Sequence, residues 1–166
     1  AMLISPPIGL RERVPLAPLT TLERGGEARW LVEARTRPEV VQALRWAAEQ
    51  GLPVSVLGGG SNVVVADGGF PGLVVRLALR GLVLQAGGGR VQLSVAAGEP
   101  WDWVVERSVS ENLAGLECLS GIPGTAGATP IQNVGAYGQE VAEVVEEVRV
   151  LDRSTFRETT LGPAEC

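Results

Sequence analysis

The chain has 166 residues, is 45% hydrophobic and carries a formal charge of −5, with 22 glycines and no histidine. That length suits one domain or two small lobes. The negative balance argues against a nucleic-acid surface or a basic membrane-binding face, and the missing histidine removes imidazole acid–base chemistry and histidine metal ligation. Cys118 and Cys166 form neither a metal motif nor a disulfide framework, and no apolar run approaches a membrane span. A cytoplasmic protein without a leader or a membrane segment is therefore expected.

Residues 3–19 hold four prolines and read as an irregular lead-in. Trp30–Ala34 reads as a strand. Thr36-Arg37-Pro38-Glu39 is a capping box opening a helix to about Gln50, with Val41, Leu44 and Ala48 on one face and Gly51 as its C′ residue. Val54–Leu57 reads as the next strand, which makes a βαβ unit. Val63–Val65 reads as another strand, and Asp67–Gly72 is a turn. Short strands follow near Leu73–Leu77, Leu82–Gln85 and Val91–Ala96. A second helix starts at Pro100, with Trp101, Val104, Val105 and Val109 sharing a face. The four tryptophans, at 30, 46, 101 and 103, read as core packing. Residues 144–151 alternate as a strand, so Glu140, Glu143, Glu146 and Glu147 read as a solvated face rather than a metal site. The expected fold class is α+β, with one lobe over residues 1–70 and a second over 71–166.

Between two apolar β-branched runs lies Gly58-Gly59-Gly60-Ser61-Asn62. Glycine leaves backbone N–H groups bare, so the loop suits a phosphate held by convergent amides and a hydroxyl, and it reads equally well as a plain glycine-rich turn. It is not a lysine-bearing P-loop, because all fourteen basic residues are arginine. It is not a Rossmann fingerprint either, because Val63 stands at the third glycine position and no helix follows.

Ser120–Gly138 contains no charged residue, which is unusual for a solvated loop. Its amides, hydroxyls and single tyrosine suit a large, mostly neutral ring, and a purely structural role is the other reading. Taken together, the two loops suit a dinucleotide such as FAD.

Three stretches also match a known family. They are Leu19-Thr20-Thr21-Leu22 with Gly25-Gly26; Leu57-Gly58-Gly59-Gly60-Ser61-Asn62-Val63; and Gly121 through Gly138, beginning Gly121-Ile122-Pro123-Gly124-Thr125-Ala126-Gly127. Through them the chain resembles the FAD-binding part of the UDP-N-acetylenolpyruvoylglucosamine reductase (MurB) family, although Leu22-Glu23-Arg24 is less apolar than that family's pattern. The resemblance implies the two-lobed α+β FAD-binding fold of the vanillyl-alcohol-oxidase (PCMH) type. It implies non-covalent FAD, with Leu57, Gly58, Gly59, Gly60, Ser61 and Asn62 at the pyrophosphate. Ile122, Pro123, Gly124, Thr125, Gly127, Ala128, Thr129, Gln132, Asn133 and Tyr137 would line the flavin.

The resemblance further implies NADPH as co-substrate and a UDP-sugar enolpyruvyl ether as substrate, reduced to UDP-N-acetylmuramate by a monomeric enzyme. No metal is implied, and Cys118 is expected to be a small buried thiol. The family's catalytic arginine, serine and glutamate would lie beyond Cys166. Leu161–Cys166 reads as the opening turn of a helix, so a longer parent chain is expected. Another FAD-dependent oxidase or dehydrogenase of the same superfamily is the alternative, as is a non-catalytic FAD-binding fragment.

Overall fold

The computed structural model describes residues 4–166. They form two compact units, one ending at Leu79 and one running from Arg80 to Cys166.

The first unit contains β1 (Arg11–Pro15), β2 (Glu27–Ala34), helix α1 (Arg37–Glu49), β3 (Val54–Leu57) and β4 (Phe70–Leu77). The sheet order is β1-β2-β4-β3; β1 is antiparallel to β2, and β4 runs parallel to both β2 and β3. Two sequence expectations change here. The lead-in contains β1, whose terminal Pro15 is tolerated because it is an edge strand; Leu3, at the start of that lead-in, lies outside the described residues. The expected βαβ unit is present, and β4 lies between its two parallel strands. A boundary after residue 70 would therefore remove the central strand, and the first unit extends to Leu79.

Helix α1 starts at the expected Thr36 cap, while the Glu39 carboxylate reaches one residue past it. The Glu39 N–H donates to Thr36 Oγ1 at 3.4 Å, while Glu39 Oε2 accepts from the Arg35 N–H at 2.7 Å. That backbone bond holds the Glu39 carboxyl below its ordinary range. At the other end the Leu52 N–H reaches the Ala47 carbonyl and the Gly51 N–H the Ala48 carbonyl, closing a Schellman motif with Gly51 at φ +62°. The buried face is Ala43, Leu44, Trp46 and Ala47, not the Val41–Leu44–Ala48 stripe. The reason is Trp46, which meets Trp30 of β2 edge to face, with ring centroids 5.8 Å apart at 87°. The indole turns the helix toward itself and leaves Ala48 exposed.

Residues 58–69 connect β3 to β4, which are adjacent and parallel, without a helix. Val63–Val65 is not a strand. Val63 and Val65 pack against the core of Leu16, Ala28, Leu31, Leu57 and Val74, while Val64 is 83% exposed. The side chains alternate, but both edges of β4 are already taken by β2 and β3.

In the second unit β5 (Leu82–Gly87) and β6 (Arg90–Val95) form a hairpin. Its turn residues Gly88 and Gly89 both have positive φ, as a primed turn requires. Helix α2 (Trp101–Ser110) follows, then α3 (Thr129–Gln132), the small hairpin β7 (Gly135–Ala136) and β8 (Gln139–Glu140), and the pair β9 (Val148–Leu151) and β10 (Glu158–Leu161). The core is Trp101, Val104, Val105, Leu119 and Val141. Ser108 takes the buried position expected for Val109, because its hydroxyl is satisfied locally by the Val105 carbonyl at 2.8 Å. Trp103 is 42% exposed, so only three of the four tryptophans are packed inward. The chain ends in a 3-10 turn, Pro163–Glu165, rather than in an α-helical turn. Among the described residues no helix is long and apolar enough to cross a membrane.

Candidate functional site

The two glycine-rich loops fall in different units. Leu57 ends β3 with its side chain in the first core, and the chain then leaves the sheet. Gly60 is buried with φ +73°. A Cβ there would come within 2.0 Å of the Leu19 carbonyl oxygen and 2.9 Å of Thr20 Cα. The Thr21 N–H donates to the Gly60 carbonyl at 3.0 Å. The first and second family-matching stretches, far apart in sequence, are therefore one backbone contact. Gly25 and Gly26 extend it. Their Cβ positions are filled by Val65 and by the Asp67 carbonyl, and the Gly26 N–H donates to the Ala66 carbonyl.

Among the described residues, no backbone hydrogen bond uses the N–H of Gly58, Gly59, Gly60 or Asn62 as donor. Gly59 and Asn62 are exposed, while Gly58 and Ser61 are half-buried. A short arc of donors on a pinned backbone is the chemistry a pyrophosphate requires, and the residues present fit it.

Ser120–Gly138 is more ordered than a long loop. Ala126–Ala128 is a 3-10 turn leading into α3, and Tyr137 and Gly138, both at positive φ, turn the β7–β8 hairpin. The loop lies along the start of α2. The Trp101 N–H donates to the Gly124 carbonyl, the Ala126 N–H to the Glu99 carbonyl and the Gly127 N–H to the Ala97 carbonyl, at 3.0, 2.9 and 2.9 Å. Thr125 bridges Pro100 in the same antiparallel sense. A Cβ on Gly127 would stand 2.6 Å from the Ala97 Cβ. The Trp101 indole N–H donates to the Leu119 carbonyl at 3.1 Å within the core.

Ile122 is half-buried against the second core, Ala128 is half-buried and Pro123 is exposed. Thr129 is buried, and its hydroxyl donates to the Ala126 carbonyl at 2.9 Å. The Asn133 side-chain amide is engaged internally: Nδ2 donates to Glu140 Oε2 at 2.8 Å and Oδ1 accepts from the Ala142 N–H at 3.2 Å. Gln132 is exposed, and Tyr137 stands 93% exposed at the hairpin tip. Cys118 is half-buried rather than fully buried, and its N–H donates to Gln139 Oε1.

Two carboxylates that sequence reading missed organise this region. Glu99 is buried, accepting from the Gly81 N–H at 2.6 Å and from Arg80 Nη1 at 3.2 Å. Asp102 Oδ1 accepts from the Gly121 N–H at 2.6 Å and from Ser120 Oγ at 3.0 Å. These bonds hold the Asp102 carboxyl below its ordinary range, the Gly121 amide having the larger effect. The only available signal was the position of Asp102 in the first turn of a helix, which says nothing about a partner eighteen or nineteen residues later.

The family described as FAD binding domain matches residues 28–155. The chain is 53% identical over 152 residues to the UDP-N-acetylenolpyruvoylglucosamine reductase of Streptomyces avermitilis, covering 92% of this chain but only 41% of that protein's length. The crystal structure of UDP-N-acetylenolpyruvylglucosamine reductase (MurB) from Thermus caldophilus superposes with a TM-score of 0.74 at 32% identity, over 94% of this chain and 54% of that one. A VAO-type flavoprotein from Myceliophthora thermophila superposes at 0.66 with 19% identity, over 83% of this chain and 27% of the other; that likeness concerns the fold alone. The resemblance carried by the three sequence stretches thus extends along most of the chain. The fold is the α+β FAD-binding fold shared with vanillyl-alcohol-oxidase-type flavoproteins, and the chain belongs to the FAD-binding-domain family.

Proposed function

We propose that this chain is the FAD-binding part of an NADPH-dependent UDP-N-acetylenolpyruvoylglucosamine reductase, which forms UDP-N-acetylmuramate for peptidoglycan. The observation that supports it most is the Gly58–Asn62 loop: a pinned backbone with four amides that donate to no backbone acceptor among the described residues, in a chain 53% identical to a reductase so named. In this reading the amides of Gly58, Gly59, Gly60 and Asn62, with the Ser61 hydroxyl, hold the pyrophosphate. The Ile122–Thr129 segment presents backbone groups and small side chains to the flavin. An uncharged wall leaves the ring's polar edges to hydrogen-bond with backbone, and its packing excludes water. FAD supplies the redox chemistry, and these residues supply binding and orientation. The reading carries with it a cytoplasmic, monomeric enzyme.

The test is steady-state NADPH oxidation by the full-length protein. Turnover that depends on the enolpyruvyl UDP-sugar is expected. Dependence on an alcohol or aldehyde, with rapid reoxidation by oxygen, would move the assignment to another oxidase of the same fold.

A further inference from the structure

The segment Gly121-Ile122-Pro123-Gly124 is an arch between two left-handed glycines, with φ +77° at Gly121 and +127° at Gly124. Residues with that freedom act as hinges unless something fixes them. Both feet of this arch stand on consecutive residues of one helix start. The far foot is the Gly124 carbonyl, which accepts from the Trp101 N–H. The near foot is Ser120-Gly121, both of whose donors converge on the single oxygen Asp102 Oδ1. Trp101 is itself immobilised, buried in the core with its indole N–H on the Leu119 carbonyl. The far foot therefore depends on backbone and packing, while the near foot depends on one exposed carboxylate. Asp102 lies in the first turn of α2, where the exposed helix N–H groups favour a negative charge. A charged acceptor also makes the stronger class of hydrogen bond.

We infer that Asp102 is a positioning residue for the FAD site: through Ser120 and Gly121 it fixes the near foot of the Gly121–Gly124 arch and so sets how closely the arch lies on the flavin. The inference rests on the FAD reading above. Asp102 touches no substrate; it acts through the loop. Removing it leaves Ile122 resting on the core but frees the glycine hinge at its N-terminal side.

The experiment uses the full-length protein and compares Asp102→Ala, Asp102→Asn and, as a control on the outer face of the same helix, Glu106→Gln. FAD affinity of the apoprotein, the visible absorption of bound flavin and apoprotein thermal unfolding are measured for each. Asp102→Ala is expected to weaken FAD about tenfold and to shift the flavin band, with apoprotein unfolding little changed. Asp102→Asn keeps an acceptor without the charge and is expected to restore much of both; Glu106→Gln is expected to match the parent. If Asp102→Ala does not fold, the same comparison is made with Ser120→Ala, which removes one of the two donors and is expected to weaken FAD by a smaller factor. Unchanged affinity and an unchanged flavin band in the variants would overturn the inference. A parent protein that binds no FAD would overturn the FAD reading itself.

Discussion

The two loops reach rigidity by opposite means. Gly58–Asn62 is held because side chains are absent: Gly60 fits only because nothing projects toward Leu19 and Thr20, and its partners are backbone groups. Ser120–Gly127 is held because particular groups are present: the Asp102 carboxylate, the Trp101 indole and the Ala97–Trp101 backbone. The first arrangement tolerates almost no substitution at its contact point and is indifferent to pH. The second tolerates graded change and contains a titratable anchor.

The sharpest way to break the first loop is Gly60→Ala. A side chain at φ +73° whose Cβ meets a backbone oxygen at 2.0 Å has no relaxed solution, and a loss of about 3 kcal/mol or more is expected from strain and overpacking. Denaturant unfolding measures it, and FAD affinity should fall with it.

Gly127→Ala is the matching change in the second loop. Its neighbours are the Ala97 Cβ at 2.6 Å and the Ala97 carbonyl at 3.0 Å, with φ outside the left-handed region. Overpacking of about 1–3 kcal/mol is expected. Should Gly127→Ala prove costlier than Gly60→Ala in the same unfolding assay, the contrast drawn between the loops would be wrong.

Trp101→Phe keeps the ring in the core but leaves the buried Leu119 carbonyl without its donor. That should cost about 1–2 kcal/mol, read by thermal unfolding, and it should loosen the second loop without affecting the first.

The smallest effect is the pH response. The Asp102 carboxyl is held below its ordinary 3.8 by the Gly121 amide and Ser120 hydroxyl. A depressed folded-state value means the stabilisation is complete above the unfolded value and disappears as pH falls through the folded one. Amide exchange at Gly121 should therefore lose protection as pH drops below about 4, while exchange at Thr21, bonded to the Gly60 carbonyl, should show no matching step. Asp152, brought to about 2 by the Ser154 hydroxyl and the amides of Ser154 and Thr155, should release its turn last.

What the sequence disclosed follows the same division. Local devices were legible: the Thr36 cap and the Gly51 terminus each concern residues within a few positions. The glycine pattern at 58–60 and 121–127 was legible too, because bare backbone leaves its mark on composition. The Val63–Val65 strand was misread because alternation records only which side chains face the core, not whether a partner strand has a free edge. The face of α1 was misplaced because Trp46 answers to Trp30, on another element. Glu99 and Asp102 went unseen for a similar reason: a carboxylate's worth here lies in donors a score of residues away, which no local pattern encodes. Among the residues that the resemblance would place at a flavin, Asn133 has its side-chain amide committed within the chain, to Glu140 and Ala142.

The helix-free connection between β3 and β4 has a consequence for how this chain can vary. Parallel neighbours need a return path, normally a dozen or more residues and usually a helix. Here residues 58–69 are that path, so the glycine loop is also the tether that spans the sheet from one strand's end to the next strand's start. Shortening it would pull β4 out of register between β2 and β3. Lengthening it near Val64, which stands in solvent, costs little. Among descendants of this chain, length changes here should be gains near Val64, and losses should be rare.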